Sequence, residues 1–373
     1  MGRLFFISPR GGISMVFGHS DSKNRSCGRA ARAVSLLLAT VFVLLPAVLS
    51  SCSSGIKPVK ATDAELKPIG RVAGRDVTFD ELRYIAMNVK ADLEDKYGAG
   101  IWDDPAKAAE HSDELYALVK KGFESDYYAV VSMADEYYIG GADRMLSESA
   151  IKEAVAAEVN ETAESVGGRK EYLSELAANY LNDRLYRFYL SCEECANELT
   201  IILKTDLGLL PSTPEDFDRY LHSDKFIRTN HIYIKDKTPE RLELAKKLAE
   251  QLKASDRPDL EIVLLKGKYC SDYTMTTTHG VYFARYTSDY GDKYEKTAFA
   301  LKPGEVGEVV EGSDGYYVIL RLEKEEDWIN KNYADFCDDI VGSEFNSMLA
   351  GFKDKLDFAF NDYGSGIDLV AMK

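Results

Sequence analysis

The residue types best suited to chemistry in this sequence are cysteine and histidine, of which there are six and five. Cys192 and Cys195 are separated by two glutamates, and this C-x-x-C spacing is typical of redox or metal-binding pairs. The pair lies in a helical pattern without the strand-to-helix turn and aromatic flank of thioredoxin-like sites. This context favours a facultative disulfide or an inert pair over redox chemistry. The histidines show no ligand spacing with cysteines or carboxylates, so we expect no zinc site and no other cofactor.

Cys52 occurs in a different context, at the end of an apolar N-terminal segment. Arg29 and Arg32 precede the apolar run 33–49, a pattern typical of a signal peptide. Pro46 interrupts the run, which is shorter than the about 20 residues of a membrane-spanning helix.

The four residues that end this segment, Leu49-Ser50-Ser51-Cys52, resemble the lipobox of bacterial lipoproteins. In such proteins the cysteine is diacylated and becomes the first residue, and two acyl chains give stable membrane anchoring. The pattern predicts a lipoprotein signal peptide over residues 1–51 and a diacylglycerol on Cys52. The expected location is the extracytoplasmic face of the cell membrane. The alternative is an ordinary signal peptide cut at a small-residue site, with Cys52 incidental.

The charge of the chain limits its partners. The formal net charge is −16, and residues 1–51 carry six basic side chains and one acidic one, so the remainder carries −21. Such a body repels phosphate backbones, which argues against nucleic-acid binding. The sequence also lacks a P-loop, a glycine-rich dinucleotide fingerprint and a G-x-S-x-G motif, so NTPases, dehydrogenases and serine hydrolases are disfavoured.

The pattern after Cys52 predicts a flexible tether over residues 52–67 and then a helical region over residues 68–225. Alternation around Gly74 predicts a strand and a turn. Thr78 and Glu81 form the pattern of a capping box at the start of a helix. Apolar stripes at helical spacing follow between residues 113 and 203. Pro214 after Thr213 predicts a further short helix.

The pattern changes at residue 226. Ile227–Ile234 alternates as a strand, residues 239–254 form an amphipathic helix, and Tyr316–Leu322 is a further strand, so residues 226–325 are predicted to form a small α+β domain. Residues 326–373 contain a helix that is too short for a core of its own and is expected to pack on the helical region. The predicted fold class is therefore α+β, a helical lobe with an inserted small antiparallel sheet flanked by helices.

Several segments of the inserted domain resemble known motifs. Asn230-His231-Ile232 is similar to an opening "xHI" strand, Tyr269–Asp272 to "YSxD", Tyr294–Val306 to "FEdAAFaLkpGEvs", and Gly315–Ile319 to "GYHII". On these segments residues 226–325 resemble the parvulin peptidyl-prolyl isomerase domain of PrsA/SurA-type foldases. The layout of residues 68–225 and 326–373 resembles the helical chaperone lobe of the same proteins.

The resemblance implies roles for particular residues. The implied catalytic residues are His231, at the first histidine of a buried polar network, Asp272, at a carboxylate or thiol position, and Tyr317, where the family usually has a second histidine. If no residue is inserted before Gly280, Tyr273 takes the position of Asp272. The implied substrate-binding residues are Tyr282, Phe283, Tyr290, Tyr294 and Phe299.

Together these expectations describe a membrane-anchored foldase that isomerises X-Pro bonds of unfolded exported polypeptides. The apolar residues would grip the proline ring, and the polar ones would favour the twisted carbonyl over the planar one. The alternative is a non-catalytic holdase with a degenerate parvulin clamp, and a homodimer is left open.

Overall fold

The computed structural model describes residues 56–276 and 280–373. The predicted signal peptide and Cys52 lie outside these residues, and so does His279. Contacts divide the chain into two compact units, one ending at Leu199 and resuming over Phe352–Lys373, the other spanning Thr200–Gly351. The second unit is thus inserted in the first, which confirms the predicted α+β arrangement with an insertion. In the described ranges no helix is long and apolar enough to cross a membrane.

The first unit is mainly helical. Its helices are α1 (Phe79–Tyr97), α2 (Pro105–Phe123), α3 (Asp126–Tyr137), α4 (Gly141–Ser147), α5 (Ser149–Ser165), α6 (Arg169–Ala178), most of α7 (Asp183–Thr205) and the short α14 (Asp362–Ser365). A small antiparallel sheet of order β2-β1-β7 is formed by β1 (Pro68–Val72), β2 (Arg75–Thr78) and β7 (Ala359–Phe360).

The expected turn and capping box are both present at the start of this unit. Ala73 and Gly74 have positive φ, as a tight turn between β1 and β2 requires. The side chain of Glu81 accepts the backbone N–H of Thr78 at 2.8 Å, which caps α1. Near these two features, the side chains of Val77, Leu82 and Phe123 are fully buried and form part of the core.

The described part of the predicted tether, residues 56–67, differs from the expectation of a flexible segment. The backbone N–H of Ile56 donates to Asn160 at 2.7 Å, and that of Val59 donates to the Asp183 carboxylate at 2.8 Å. Arg187 donates to the Ile56 carbonyl at 2.9 Å. These polar side chains on α5 and α7 satisfy the backbone of the segment, so it lies along the helical unit.

The second unit contains a four-stranded antiparallel sheet of order β4-β3-β6-β5. Its strands are β3 (Phe226–Lys235), β4 (Val281–Ala284), β5 (Val310–Glu311) and β6 (Gly315–Leu322), and its helices are α8 (Pro214–Leu221), α9 (Pro239–Lys253), α10 (Pro258–Tyr269), α11 (Asp292–Ala300), α12 (Glu326–Lys331) and most of α13 (Tyr333–Lys353).

The central strand β3 separates two cores because successive side chains point to opposite faces. Ile232 and Ile234 pack with α9 and α10, whereas Ile227 packs with Tyr294 of α11. The strand pairs with β4 on one side and β6 on the other, with His231 opposite Ile319. The face that holds Ile227 also receives Thr229, His231 and Tyr233.

The division of the chain differs from the prediction for its C-terminal helix. Residues 333–351 of α13 belong to the second unit. Phe336 packs on Phe226 and Tyr282 with ring centroids 4.9 and 5.2 Å apart, and Ser343 is hydrogen-bonded to Tyr220 of α8 at 3.0 Å. The helix therefore packs on α8, which lies in the predicted helical region, and on the sheet. Only Phe352–Lys373 joins the first unit.

Candidate functional site

His231 is at the centre of the candidate site. It lies on β3, and its side chain is completely buried on the α11 face of the sheet. Its Nδ1 is 3.0 Å from the hydroxyl oxygen of Tyr294, and its Nε2 is 3.1 Å from Oδ2 of Asp272. Burial lowers the pKa of the imidazole, which outweighs the opposing effect of Asp272. The ring is therefore neutral at pH 7.

Asp272 follows the C-terminal end of α10 and lies in a short turn. Its Oδ1 accepts the backbone N–H of Thr274 at 2.8 Å and the Thr274 hydroxyl at 2.6 Å. The hydrogen bond from His231 and these two bonds hold the pKa of Asp272 well below its usual range, against the opposing effect of burial. Asp272 is therefore an anion whose side chain is only partly exposed. Tyr273, the alternative for this position, is 87% exposed.

Three tyrosine rings surround the imidazole edge to face. The centroids of Tyr290, Tyr294 and Tyr317 lie 4.6, 5.4 and 5.2 Å from that of His231, with interplanar angles of 76°, 82° and 89°. Tyr294 is fully buried on α11, whereas Tyr290 and Tyr317 are partly exposed. Such T-shaped contacts are favourable aromatic geometry. The site therefore combines the apolar surface of the tyrosine rings with the polar pair His231 and Asp272.

Tyr317 takes the position expected for a second histidine but contacts His231 with its ring. It stacks on Tyr233, its partner across β3 and β6, with a centroid distance of 4.8 Å. Between these two described residues, His231 and Tyr317, the structure shows no hydrogen bond. Burial raises the pKa of the Tyr317 hydroxyl, so it remains protonated at pH 7.

The other predicted binding residues are divided between the two faces of the sheet. Phe283 and Phe299 pack against each other at 5.8 Å, and Phe283 lies 6.1 Å from Tyr294, on the face of the site. Tyr282 is one residue away from Phe283 and therefore points to the opposite face. There its hydroxyl accepts the backbone N–H of Glu325 at 3.0 Å. The structure does not bring Tyr282 together with the other predicted residues.

The site also has polar and sulfur-containing neighbours that were not predicted from the sequence. Thr229 places its hydroxyl 2.9 Å from that of Tyr294. Met275 is buried, with its sulfur 3.8 Å from the hydroxyl oxygen of Tyr290. The Cys270 sulfur accepts the backbone N–H of Tyr233 at 3.2 Å. The alternation of β3 is the signal that could have placed Thr229 beside His231, since the two residues are two positions apart.

Gly280 is required where the chain returns to the sheet. Its φ is +70°, and a Cβ at this position would lie 2.2 Å from the carbonyl oxygen of Thr229. No side chain fits in that space, so the close approach of this segment to β3 depends on glycine.

The C-x-x-C pair lies away from any exposed surface. Cys192 and Cys195 on α7 are 0% and 2% exposed, and both thiols are free. Burial raises the pKa of Cys195 to about 12 and that of Cys192 well above its usual range. Because the thiolate is the reactive form, these positions favour the inert pair over redox chemistry.

Comparisons with known proteins give remote structural neighbours. No family model matches the sequence, and no curated protein matches it. A peptidylprolyl isomerase, PrsA, from Bacillus anthracis is 16% identical, with a TM-score of 0.30, over 62% of this chain and 95% of that one. The foldase protein PrsA from Streptococcus pneumoniae is 17% identical, with a TM-score of 0.33, over 65% and 88%.

A third neighbour comes from work on PEB4 and Cj1289, two SurA-like chaperones of Campylobacter jejuni. It is 14% identical, with a TM-score of 0.23, over 76% of this chain and 94% of that one. These neighbours are PrsA foldases and SurA-like chaperones, the group that the sequence resembles.

Proposed function

We propose that this protein is an extracytoplasmic foldase that isomerises X-Pro peptide bonds in unfolded exported polypeptides and is anchored to the membrane through Cys52. The observation that carries the isomerase proposal is the geometry of the buried His231, whose ring nitrogens contact Tyr294 and Asp272 and whose ring is surrounded edge to face by three tyrosine rings. The extracytoplasmic location and the anchor rest on the pattern of residues 29–52.

Such a site needs no covalent step. Rotation of an X-Pro bond is opposed by amide resonance, with a barrier of about 18–20 kcal/mol. An enzyme lowers this barrier by binding the twisted amide more tightly than the planar one. The partly exposed Tyr290 and Tyr317, with Phe299 nearby, supply apolar surface for a proline ring. A carboxylate also remains accessible beside them, that of Asp272, whose side chain is 15% exposed.

The arrangement of hydrogen bonds limits what each residue contributes. His231 has both ring nitrogens engaged within the protein, so its role is to hold Asp272 and the aromatic rings in place. The hydroxyls of Tyr290 and Tyr317 are the neutral donors closest to the ring cluster. As amide resonance is lost, the carbonyl oxygen loses partial negative charge and the electron pair returns to the proline nitrogen, so these hydroxyls are suited to donate to that nitrogen in the twisted amide.

The test is a protease-coupled assay with a proline-containing peptide on residues 53–373. We expect a rate above background for the parent protein and a loss of most of it in His231→Ala and Asp272→Ala. His222→Ala is the matched control, because His222 belongs to the same unit but is exposed. A parent protein that is folded and gives only the background rate would refute the isomerase proposal.

One observation favours a second candidate, a holdase without catalysis. Tyr317 offers only a ring contact to His231 where the family usually has a second histidine. This candidate predicts that the parent and His231→Ala suppress aggregation of an unfolded client equally while neither accelerates isomerisation. A foldase that requires its site would instead lose proline-limited refolding in the variant and keep suppression of aggregation.

A further inference from the structure

The hydroxyl of Tyr294 is a feature that an aromatic pocket wall does not require. It is fully buried and lies 2.9 Å from the Thr229 hydroxyl and 3.0 Å from Nδ1 of His231. The corresponding position of the motif that this segment resembles carries phenylalanine. The hydroxyl therefore provides a polar contact beneath the imidazole that a phenylalanine ring could not make.

Hydrogen bonds join the side chains of Thr229, Tyr294, His231 and Asp272 in a row. The charge of Asp272, at the end of this row, determines the direction of every bond in it. Asp272 is an anion and can only accept, so Nε2 of His231 must carry a proton and donate it. Because the ring is neutral, Nδ1 then has a lone pair and must accept from the Tyr294 hydroxyl. The oxygen of Tyr294 in turn accepts from the hydroxyl of Thr229. The donors thus all point from Thr229 towards Asp272.

We propose that Tyr294 is a positioning residue, which donates to Nδ1 of His231 with support from Thr229 and so fixes the Nε2–H tautomer that faces Asp272. Tyr294 does not touch the substrate in this arrangement, since its side chain is completely buried. Its catalytic significance rests on the proposed isomerase function, whereas the tautomer can be measured without any activity.

Tyr317 is a natural comparison for Tyr294. Both rings lie edge to face with the imidazole at nearly the same distance, 5.2 and 5.4 Å between centroids. Only the Tyr294 hydroxyl reaches a ring nitrogen. Removing each hydroxyl by a change to phenylalanine keeps both rings and separates the hydrogen bond from the packing.

The first measurement is a long-range ¹H–¹⁵N NMR spectrum of the folded chain, residues 53–373, with ¹⁵N-labelled histidine at pH 7. His231→Gln identifies the His231 signals. We expect the pattern of a neutral ring protonated at Nε2, with Nδ1 shifted as a hydrogen-bond acceptor. A ring protonated at Nδ1, or a charged ring, would overturn the proposal whether or not the protein is an isomerase.

The second measurement compares variants by the same spectrum and by steady-state kinetics. In Tyr294→Phe we expect the Nδ1 signal to move towards that of an imidazole nitrogen without a hydrogen bond. We expect kcat to fall about two- to tenfold, the factor that one typical hydrogen bond corresponds to, with KM little changed. Tyr317→Phe should leave the Nδ1 signal in place. If the two variants shift Nδ1 equally, the assignment to Tyr294 is wrong.

Thr229 provides an independent variant that does not alter the aromatic cluster. Thr229→Val removes the donor to Tyr294 at nearly constant volume, and Thr229→Ser retains it. We expect Nδ1 to shift in the valine variant and to return in the serine variant. An unchanged Nδ1 signal in folded Thr229→Val would show that Thr229 does not support the hydrogen bond from Tyr294. It would overturn the role proposed for Thr229.

Discussion

His231 and Asp272 form a pair in which only one member is charged. The imidazole is fully buried, and burial disfavours its protonated form. The carboxylate is partly exposed and accepts three hydrogen bonds, from His231 and twice from Thr274, which favour its ionised form. A neutral donor facing an anionic acceptor avoids a buried ion pair, which would have to compensate for the desolvation of two charges.

The lowered pKa of His231 predicts a pH dependence of stability. Below the unfolded value, about 6.5, the unfolded chain binds a proton that the folded site does not. The free energy of unfolding should therefore decrease as the pH falls from about 6.5 towards the lowered folded pKa. His231→Gln should lack this part of the decrease. Urea unfolding of the parent and the variant at pH 7.5 and 5.5 measures it.

His222, in the same unit, is a control because its contribution to the free energy of unfolding should change with pH in the opposite direction. The hydrogen bond from its Nδ1 to the backbone carbonyl of Asp218 and the contact of its Nε2 with Glu326 raise the pKa of the imidazole. The stabilisation by His222 is therefore present below the unfolded pKa and is lost as the pH rises through the folded one. In His222→Gln the loss relative to the parent should be greater at pH 5.5 than at 7.5. If both variants changed the pH dependence of the free energy of unfolding in the same direction, the result would contradict a lowered pKa for His231 and a raised pKa for His222.

At the scale of elements, strand β3 determines which residues meet. Its alternation places Thr229 and His231 on the α11 face and Asn230 on the other, where Lys266 of α10 donates to the Asn230 side chain at 3.0 Å. A shift of one residue in the pairing with β4 or β6 would exchange these faces. The site therefore depends on the register of the sheet as much as on the identity of its residues.

The sequence was sufficient to predict elements whose signal is local. The alternation of residues 227–234 predicted β3, and the caps at Thr78 and Thr213 predicted the starts of α1 and α8. Sequence position alone could not exclude Tyr282 from the site, since the face of a residue in the four-residue strand β4 depends on its register with β3. The two-residue strand β7 and the ordering of residues 56–67 depend on partners distant in sequence, so no local pattern indicated them.

Gly280 tests the close approach of the chain to β3. Gly280→Ala should lower the free energy of unfolding by more than the about 1–2 kcal/mol that a left-handed conformation costs an ordinary residue, because its Cβ would also meet the Thr229 carbonyl. Gly291→Ala is the matched control, since Gly291 has φ +85° and nothing lies within 4 Å of its added Cβ. Urea unfolding compares them, and equal losses would contradict the predicted steric conflict.

At the scale of the whole molecule, the ordered segment 56–67 changes what the predicted anchor would do. Only four peptide units separate Cys52 from Ile56, whose N–H and carbonyl are both bound by the helical unit. Four residues span at most about 14 Å when fully extended. A lipid on Cys52 would therefore hold the helical unit close to the membrane surface, without a long tether.

The anchor itself is tested by Cys52→Ser. We expect the parent protein to partition into the detergent phase after extraction and the variant to appear in the soluble fraction, because the loss of two acyl chains removes the apolar contribution to binding. Cys337→Ser, in the second unit, is the control and should partition as the parent does. A Cys52→Ser protein that stays membrane-bound in high salt would contradict the lipid anchor.

The most direct test of the proposed isomerase activity is NMR exchange spectroscopy on an Ala-Pro peptide with a small amount of the protein, residues 53–373. Uncatalysed isomerisation takes tens to hundreds of seconds and gives no cis–trans exchange peaks on the timescale of the experiment. We predict that exchange peaks appear with the parent protein and are lost with Asp272→Ala. A folded parent protein that produces no exchange peaks at any concentration would contradict the proposed isomerase activity.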